Sequence, residues 1–405
     1  MQAPSYDPTA WLIWGRELSD GTLHTLGGPS WKPVPVAFTA VFAFAGDEAA
    51  PLLWLAVART GGVAAIVLAF LVGRRLGGPR AGALAAAGLA LATGFLWNCL
   101  RGDSEGLIVA FALGAVLAHL DGRTWLAFAL LALVGGLRPE VWPVLAGYGA
   151  WLSWRDRRAL TTVAVAATGL ALLAAWFLPD KLTTGNWLQG AQRAFYPVPG
   201  TPAQSPFPFG MAFVFAAAFL PWPLYAGAVA AVRSGEPRLR VLAALAAVVM
   251  TTVAVLAEFG FTGNLRYATL PGAALAVVGA AGLPGLWTRL RGPLRALFAA
   301  GTVAAVVASL FLLGGRVAGE LTEDRVMGAP LDRALAAAPD CRPVASTPYE
   351  RQVIAYRLGI GPRFVSTQTI ERGVAFVRRG EQVTGGIAGL PVIATTPDWI
   401  VRSSC

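Results

Sequence analysis

The chain has 405 residues, of which 56% are hydrophobic and only 13% charged, with a net charge of +10. Soluble domains carry about 25% charged residues, so this composition, with a mean hydropathy of +0.60, excludes a soluble globular protein and predicts a polytopic membrane protein. Three cysteines and two histidines, His24 and His119, exclude a disulfide scaffold and a CxxC metal site, and their spacing leaves no His-based metal site.

The first 35 residues are polar and aromatic: Ser5-Tyr6-Asp7-Pro8-Thr9-Ala10-Trp11, then Gly15-Arg16-Glu17-Leu18, then Trp31-Lys32-Pro33-Val34-Pro35. The start lacks an apolar h-region, so no cleavable signal is expected. Residues 33–45 are apolar but too short to span, and predict a helix on or dipping into the membrane interface. Spanning helices need about 20 apolar residues, fewer inside a bundle. Ten candidates follow, at 51–72, 80–99, 105–119, 124–137, 141–154, 159–178, 209–232, 240–257, 267–287 and 295–314. Trp54, Trp97, Trp125, Trp154, Trp176 and Trp287 fall near their ends, as interface anchors do.

Short loops set the orientation. One alternating set holds thirteen arginines (among them Arg74, Arg75, Arg123, Arg155, Arg233 and Arg289) against three acidic residues, Asp121, Asp156 and Glu236. The opposite set holds five basic and five acidic residues. The first set is therefore expected in the cytoplasm, and it accounts for the positive charge without nucleic acid. From 315 the charge rises and the apolar runs shorten. Residues 343–347, 363–366 and 391–396 read as strands, and 328–338 and 348–358 as helices. The expected layout is an external loop with a juxtamembrane helix over 1–50, a transmembrane bundle over 51–314, and a small extracytoplasmic α/β domain over 315–405. Cys341 and Cys405 would both lie outside, where a disulfide persists.

Polar groups gather on the outer side: Asp7, Glu17 and Lys32; Arg101-Gly102-Asp103-Ser104-Glu105; Arg138-Pro139-Glu140; and Gly263-Asn264-Leu265-Arg266-Tyr267. Ionisable residues wedged between spans are functional candidates. The bland readings are exposed loop charges, a structural Arg138-Pro139-Glu140 turn with an internal ion pair, and a loop role for His24. Helical spacing puts Glu17 beside Arg16 on an exposed face.

This arrangement resembles the C-type glycosyltransferases (GT-C), polytopic enzymes that use polyprenyl-phosphate-linked sugars. The likeness covers roughly residues 5–290. An acidic first external loop corresponds to Asp7-Pro8-Thr9-Ala10-Trp11, and a Lys-Pro segment before a juxtamembrane helix to Lys32-Pro33-Val34-Pro35. A second acidic turn corresponds to Asp103 and Glu105, an Arg-Pro-Glu turn to Arg138–Glu140, and a Gly-Asn-x-Arg-Tyr segment to Arg266 and Tyr267. The pattern is similar to the bacterial protein-mannosyltransferase and aminoarabinose-transferase branch, with an Ala/Gly/Arg-rich composition of actinobacterial type. In one place the sequence departs from the family. A spanning helix precedes the acidic loop there, whereas six residues precede Asp7 here, which leaves a late start or a remnant as alternatives.

The resemblance implies an all-α GT-C-like bundle with its active face and C-terminus outside the plasma membrane. The implied activity is transfer of a sugar from a polyprenyl-phosphate donor to a glycan, lipid or protein acceptor, with inversion. Asp7 would be the general base, and Lys32 and Arg266 would neutralise the leaving phosphate. Arg101, Arg138, Glu140 and Tyr267 would line the substrate site. Asp103 and Glu105 would orient acceptor or sugar, or hold a divalent cation as hard oxygen ligands; no other cofactor is implied. The rival readings are a transporter or lipid flippase and a non-catalytic remnant. Transporters place ionisable groups near the midplane and often carry internal repeats, and neither pattern is present.

Overall fold

The structure is a computed structural model that describes residues 4–195, 200–368, 370–381 and 386–405. Helix α1 (Tyr6–Ser19) starts after the extended Ser5, with Asp7 in its first turn and Arg16 in its last, both favourable to the helix dipole. Helix α2 (Pro33–Ala43) opens on Pro33, whose fixed φ suits a first turn; it is the short helix expected over 33–45. Then come α3 (Ala49–Ala90), α4 (Phe95–Leu100), α5 (Glu105–Leu120), α6 (Thr124–Gly135), α7 (Trp142–Asp156), α8 (Ala159–Thr184), α9 (Gln189–Ala194), α10 (Pro208–Ala217), α11 (Trp222–Ser234), α12 (Pro237–Glu258), α13 (Thr269–Arg289) and α14 (Gly292–Val326). The chain ends with α15 (Ala329–Ala336), α16 (Arg351–Arg357) and α17 (Gly386–Gly389), interleaved with strands β1 (Val344–Ser346), β2 (Val365–Ser366), β3 (Val374–Arg378), β4 (Val392–Thr395) and β5 (Trp399–Ser403).

All ten apolar segments are largely helical, but 80–99 is interrupted at 91–94 between α3 and α4, and 209–232 at 218–221 between α10 and α11. By length and composition five helices can cross a membrane, or six if the bent pair α10 and α11, inclined at 102°, is one span. The expected span 51–72 and the first part of 80–99 run together in α3, broken at Gly78 (φ 83, ψ 178) before Pro79; α5 and α6 are shorter apolar helices. Large apolar side chains stay exposed on α8 and α14, including Leu160 at 78% and Phe311 at 81%. Water does not tolerate such surfaces, and lipid does. The protein is a multi-pass membrane protein.

The described residues form two compact units. The first comprises 1–55, 178–190 and 317–405. In it α1 and α2 pack closely: Thr39 donates to the Trp11 carbonyl at 2.6 Å, and a Cβ at Gly15 would overlap Thr39. The sheet has the order β2-β1-β3-β5-β4, with β1 parallel to β2 and β3 and β5 antiparallel to β3 and β4. One face buries Val344, Val374, Phe376, Trp399 and Val401 with Ile13, Leu331 and Ile354; the other buries Ala345, Ala375, Val377, Ile387 and Leu390. This alternation follows the two-residue period of a strand. Strands β1, β2 and β4 match the expected three, whereas β3 and β5 were not read from the sequence. Cys341 and Cys405 are joined in a disulfide.

The second unit comprises 56–177 and 191–316. Helices α11 and α13 meet backbone to backbone, because a Cβ at Gly279 would overlap the Leu224 carbonyl and one at Gly282 the Gly227 carbonyl. Small residues at such crossings are how helices associate in lipid. Their buried neighbours, among them Phe219, Leu224, Ala276 and Val277, belong to the largest core of this unit.

Candidate functional site

In the first unit the N-terminal stretch is built around Trp11. Asp7 lies one turn before it on α1, so the two side chains share a helix face. Trp11 is 1% exposed, and the 6% exposed Lys32 sets its Nζ 5.0 Å from the Trp11 ring centroid. A desolvated cation on an indole face gains from the ring quadrupole, which fixes Lys32 beside Asp7's helix face. The segment before Lys32 is tied down on both sides. Trp31 packs on Trp14 with centroids 5.6 Å apart, and Ser30 donates to the Gly190 carbonyl at 2.8 Å. Gly190 N–H in turn donates to the buried Asp180 carboxylate at 2.7 Å. Trp54 is fully buried, with its ring centroid 5.4 Å from Trp11, so it is core rather than the interface anchor expected.

Glu17 is not on an exposed face. It is 8% exposed, its Oε2 accepts the His24 N–H at 3.1 Å, and a Cβ at Gly361 would overlap its other oxygen. Burial pushes its carboxyl above the usual range, while the His24 bond and the Arg363 and Arg16 charges pull it back. Its role is to join α1 to the 361–363 segment. His24 lies in a loop, its ring accepting the Leu26 N–H at 3.3 Å.

The second unit gathers the remaining candidates. Helix α4 ends at Leu100, the chain turns through Gly102 at φ 83, and Asp103, Ser104 and Glu105 enter α5 at 6%, 0% and 1% exposure. Arg138, 6% exposed, donates to Glu105 Oε1 at 2.5 Å. The internal Arg138–Glu140 ion pair expected of that turn is therefore not formed. Arg138 finds its carboxylate on α5 instead. Arg138 Cζ also lies 4.3 Å from the Tyr267 ring centroid, and Arg266 Cζ lies 5.7 Å from the same ring. Asn264 positions this stretch: its side chain accepts the Arg266 N–H at 3.2 Å and starts the Leu265–Ala268 turn.

A narrow, partly open cleft lies here, lined by Arg138, Glu140, Arg266, Tyr267 and Thr269 over an apolar floor that includes Ile108 and Val253. Glu140 is 6% exposed, and its Oε2 has no hydrogen-bond partner among the described residues; nor has the Thr269 hydroxyl. Buried polar atoms left unpaired cost about 1–3 kcal/mol each, so a polar ligand would relieve two such atoms at once. Thr269 was not singled out from sequence; a lone threonine at a span start carries no signal. Arg101 lies over Trp97, Cζ 4.2 Å from its centroid, and is not in the cleft wall. Among the described residues no group of three or more His, Cys, Asp or Glu side chains is gathered as for a metal.

No protein-family profile and no curated protein sequence matches the chain. Solved structures do. ArnT from Cupriavidus metallidurans bound to undecaprenyl phosphate is similar over 100% of this chain and 94% of its own, at 12% identity and a TM-score of 0.63. The same transferase in the apo state gives 15% identity and a TM-score of 0.65 with the same coverage. The archaeal oligosaccharyltransferase AglB from Archaeoglobus fulgidus, in complex with an inhibitory peptide and a dolichol-phosphate, is similar over 90% of this chain and 60% of its own, at 12% identity and a TM-score of 0.50. Over its whole length the chain shares its fold with these ArnT structures.

Proposed function

We propose that the protein is an integral membrane glycosyltransferase that moves a sugar from a polyprenyl-phosphate donor to an extracytoplasmic acceptor with inversion. The observation that carries this reading is the cleft of the second unit. Two guanidinium groups flank one tyrosine ring beside the buried Glu140, whose Oε2 has no hydrogen-bond partner among the described residues, a set suited to a phosphate and a sugar hydroxyl together. The likeness of the whole chain to a transferase crystallised with undecaprenyl phosphate supports the donor class.

In the proposed reaction the Asp7 carboxylate accepts the proton of the acceptor hydroxyl as its oxygen attacks the anomeric carbon. The bond from that carbon to the lipid phosphate breaks, and the phosphate leaves with the electron pair. Lys32 and Arg266 neutralise its growing charge. Glu140 and Asp103 orient sugar and acceptor hydroxyls, while Glu105 holds Arg138 in place. The plasma membrane is the proposed location, with this chemistry on the outer side, the side of the loops that lack an arginine excess.

The test is transfer by the purified full chain in proteoliposomes from a panel of radiolabelled polyprenyl-phosphate sugars. Arg266→Ala and Lys32→Ala are expected to weaken donor binding about tenfold or more, because charge-assisted bonds contribute roughly 1.5–3 kcal/mol each. Unchanged donor affinity in both folded variants would remove these two cations from the site.

A further inference from the structure

Arg316 is a cation that the proposed reaction does not use. It lies on α14 about 31 Å along the axis from Arg295, at about 1.5 Å per residue, which matches a hydrocarbon core about 30 Å thick. That spacing equals the distance between the two interfaces of a bilayer, where lipid phosphates lie. Arg316 is half-buried, and among the described residues it makes no hydrogen bond and no ion pair. Desolvating a guanidinium without a carboxylate is unfavourable.

The group is nonetheless held in one place. Its Cζ is 5.3 Å from the Trp97 ring centroid. Its Nη1 lies against the backbone of Gly94, where a Cβ would stand only 2.9 Å away. Gly94, at φ 89, breaks the chain between α3 and α4 and leaves this space open. Arg101 lies over the same indole, Cζ 4.2 Å from its centroid. At the end of α4, Arg59 donates to the Leu100 carbonyl at 3.0 Å. Two guanidinium groups thus share one tryptophan, and one of them, Arg316, makes no hydrogen bond or ion pair among the described residues. A snorkelling arginine would extend into the lipid surface; this one is folded back onto Gly94 and Trp97. The planar fork of a guanidinium matches the oxygens of a phosphate.

We propose that Arg316, with Arg101 on the same indole, forms a subsite for the phosphate of a membrane lipid, distinct from the Arg138–Arg266 cleft. None of Trp97, Arg101 and Arg316 lines that cleft, and the proposal does not depend on the transfer reaction. The phosphate belongs either to a polyprenyl phosphate or to an anionic glycerophospholipid, and one titration separates the two. The purified full chain, delipidated in dodecylmaltoside, is titrated with undecaprenyl phosphate and separately with phosphatidylglycerol, and binding is read by native mass spectrometry. Arg316→Gln is expected to weaken at least one lipid about tenfold or more, and Arg316→Lys to weaken it less. Loss confined to undecaprenyl phosphate assigns the subsite to the polyprenyl lipid; loss confined to phosphatidylglycerol assigns it to the surrounding bilayer. Arg266→Ala in the same titration reports on the cleft, so the two sites are read apart. Since Arg316 makes no hydrogen bond or ion pair among the described residues, melting of Arg316→Gln should stay close to that of wild type. Unchanged affinity for both lipids in that variant, or no binding of either by wild type, overturns the subsite.

Discussion

The Glu105–Arg138 pair gives a sharp test of how the second unit is built. The two side chains are 1% and 7% exposed, and one guanidinium nitrogen lies 2.5 Å from Glu105 Oε1. Removing one partner of a buried pair strands the other charge and costs about 3–5 kcal/mol, whereas replacing both with apolar residues of similar volume is close to neutral. Arg138→Met also frees one face of Tyr267, against which the guanidinium packs at 4.3 Å, and losing that contact adds about 0.5–2 kcal/mol. Arg138→Met alone should therefore destabilise by roughly 3.5–7 kcal/mol, and Glu105→Leu alone by roughly 3–5 kcal/mol. The double variant should recover most of this, with a coupling of several kcal/mol in the double-mutant cycle. The assay is unfolding of the purified protein in mixed micelles, followed by tryptophan fluorescence at fixed detergent ratio. Coupling near zero, with the double variant as unstable as the two singles combined, would refute the buried pair and with it the geometry that holds Arg138 at the cleft.

Two further outcomes follow from the first unit and the topology. Glu350 is 1% exposed and accepts a hydrogen bond from the Thr347 hydroxyl. Burial, then the charge of Glu381, push its carboxyl from 4.5 to about 7, with Glu323 raising it further and Arg378 opposing. The folded chain keeps this proton where the unfolded chain has lost it, so the stabilisation is present below about pH 4.5 and disappears as pH rises through about 7. Glu350→Gln should flatten that part of the stability profile, and an unchanged profile would contradict the shift. For topology, single cysteines are introduced in a Cys99→Ala background that keeps the Cys341–Cys405 disulfide. Arg158→Cys should be protected from membrane-impermeant maleimide and Tyr349→Cys, at 67% exposure, should react; labelling of both from the outside would contradict the loop assignment.

What the sequence made legible was the part of the fold fixed locally. Apolar runs marked the helices because lipid demands them segment by segment. The Gly78-Pro79 join was invisible as a helix continuation, since a positive φ followed by proline reads as a loop. Strand β5 carried an alternating signal, buried at Trp399, Val401 and Ser403, that its polar surroundings masked. Strand β3 is buried on both faces and reads as a short apolar run of no decided period. Within the candidate site, the residue types were legible and the partners were not. Arg138 bonds a carboxylate 33 positions away, and Glu17 sits under Gly361, so neither contact leaves a mark in local spacing.

The central claim is that a carboxylate on α1 takes the acceptor's proton during sugar transfer. Asp7→Asn keeps the size of the side chain and its place in the first turn of α1, yet cannot accept a proton. General-base assistance typically contributes 10²–10⁴-fold. The deciding measurement is single-turnover transfer from a polyprenyl-phosphate sugar by wild type, Asp7→Asn and Glu17→Gln, with donor affinity measured in parallel. The account predicts that Asp7→Asn binds donor like wild type and turns over at least about a hundredfold more slowly, while Glu17→Gln, whose carboxylate serves the fold, loses much less. Turnover by Asp7→Asn within a few-fold of wild type would contradict it and shift the role to Asp103.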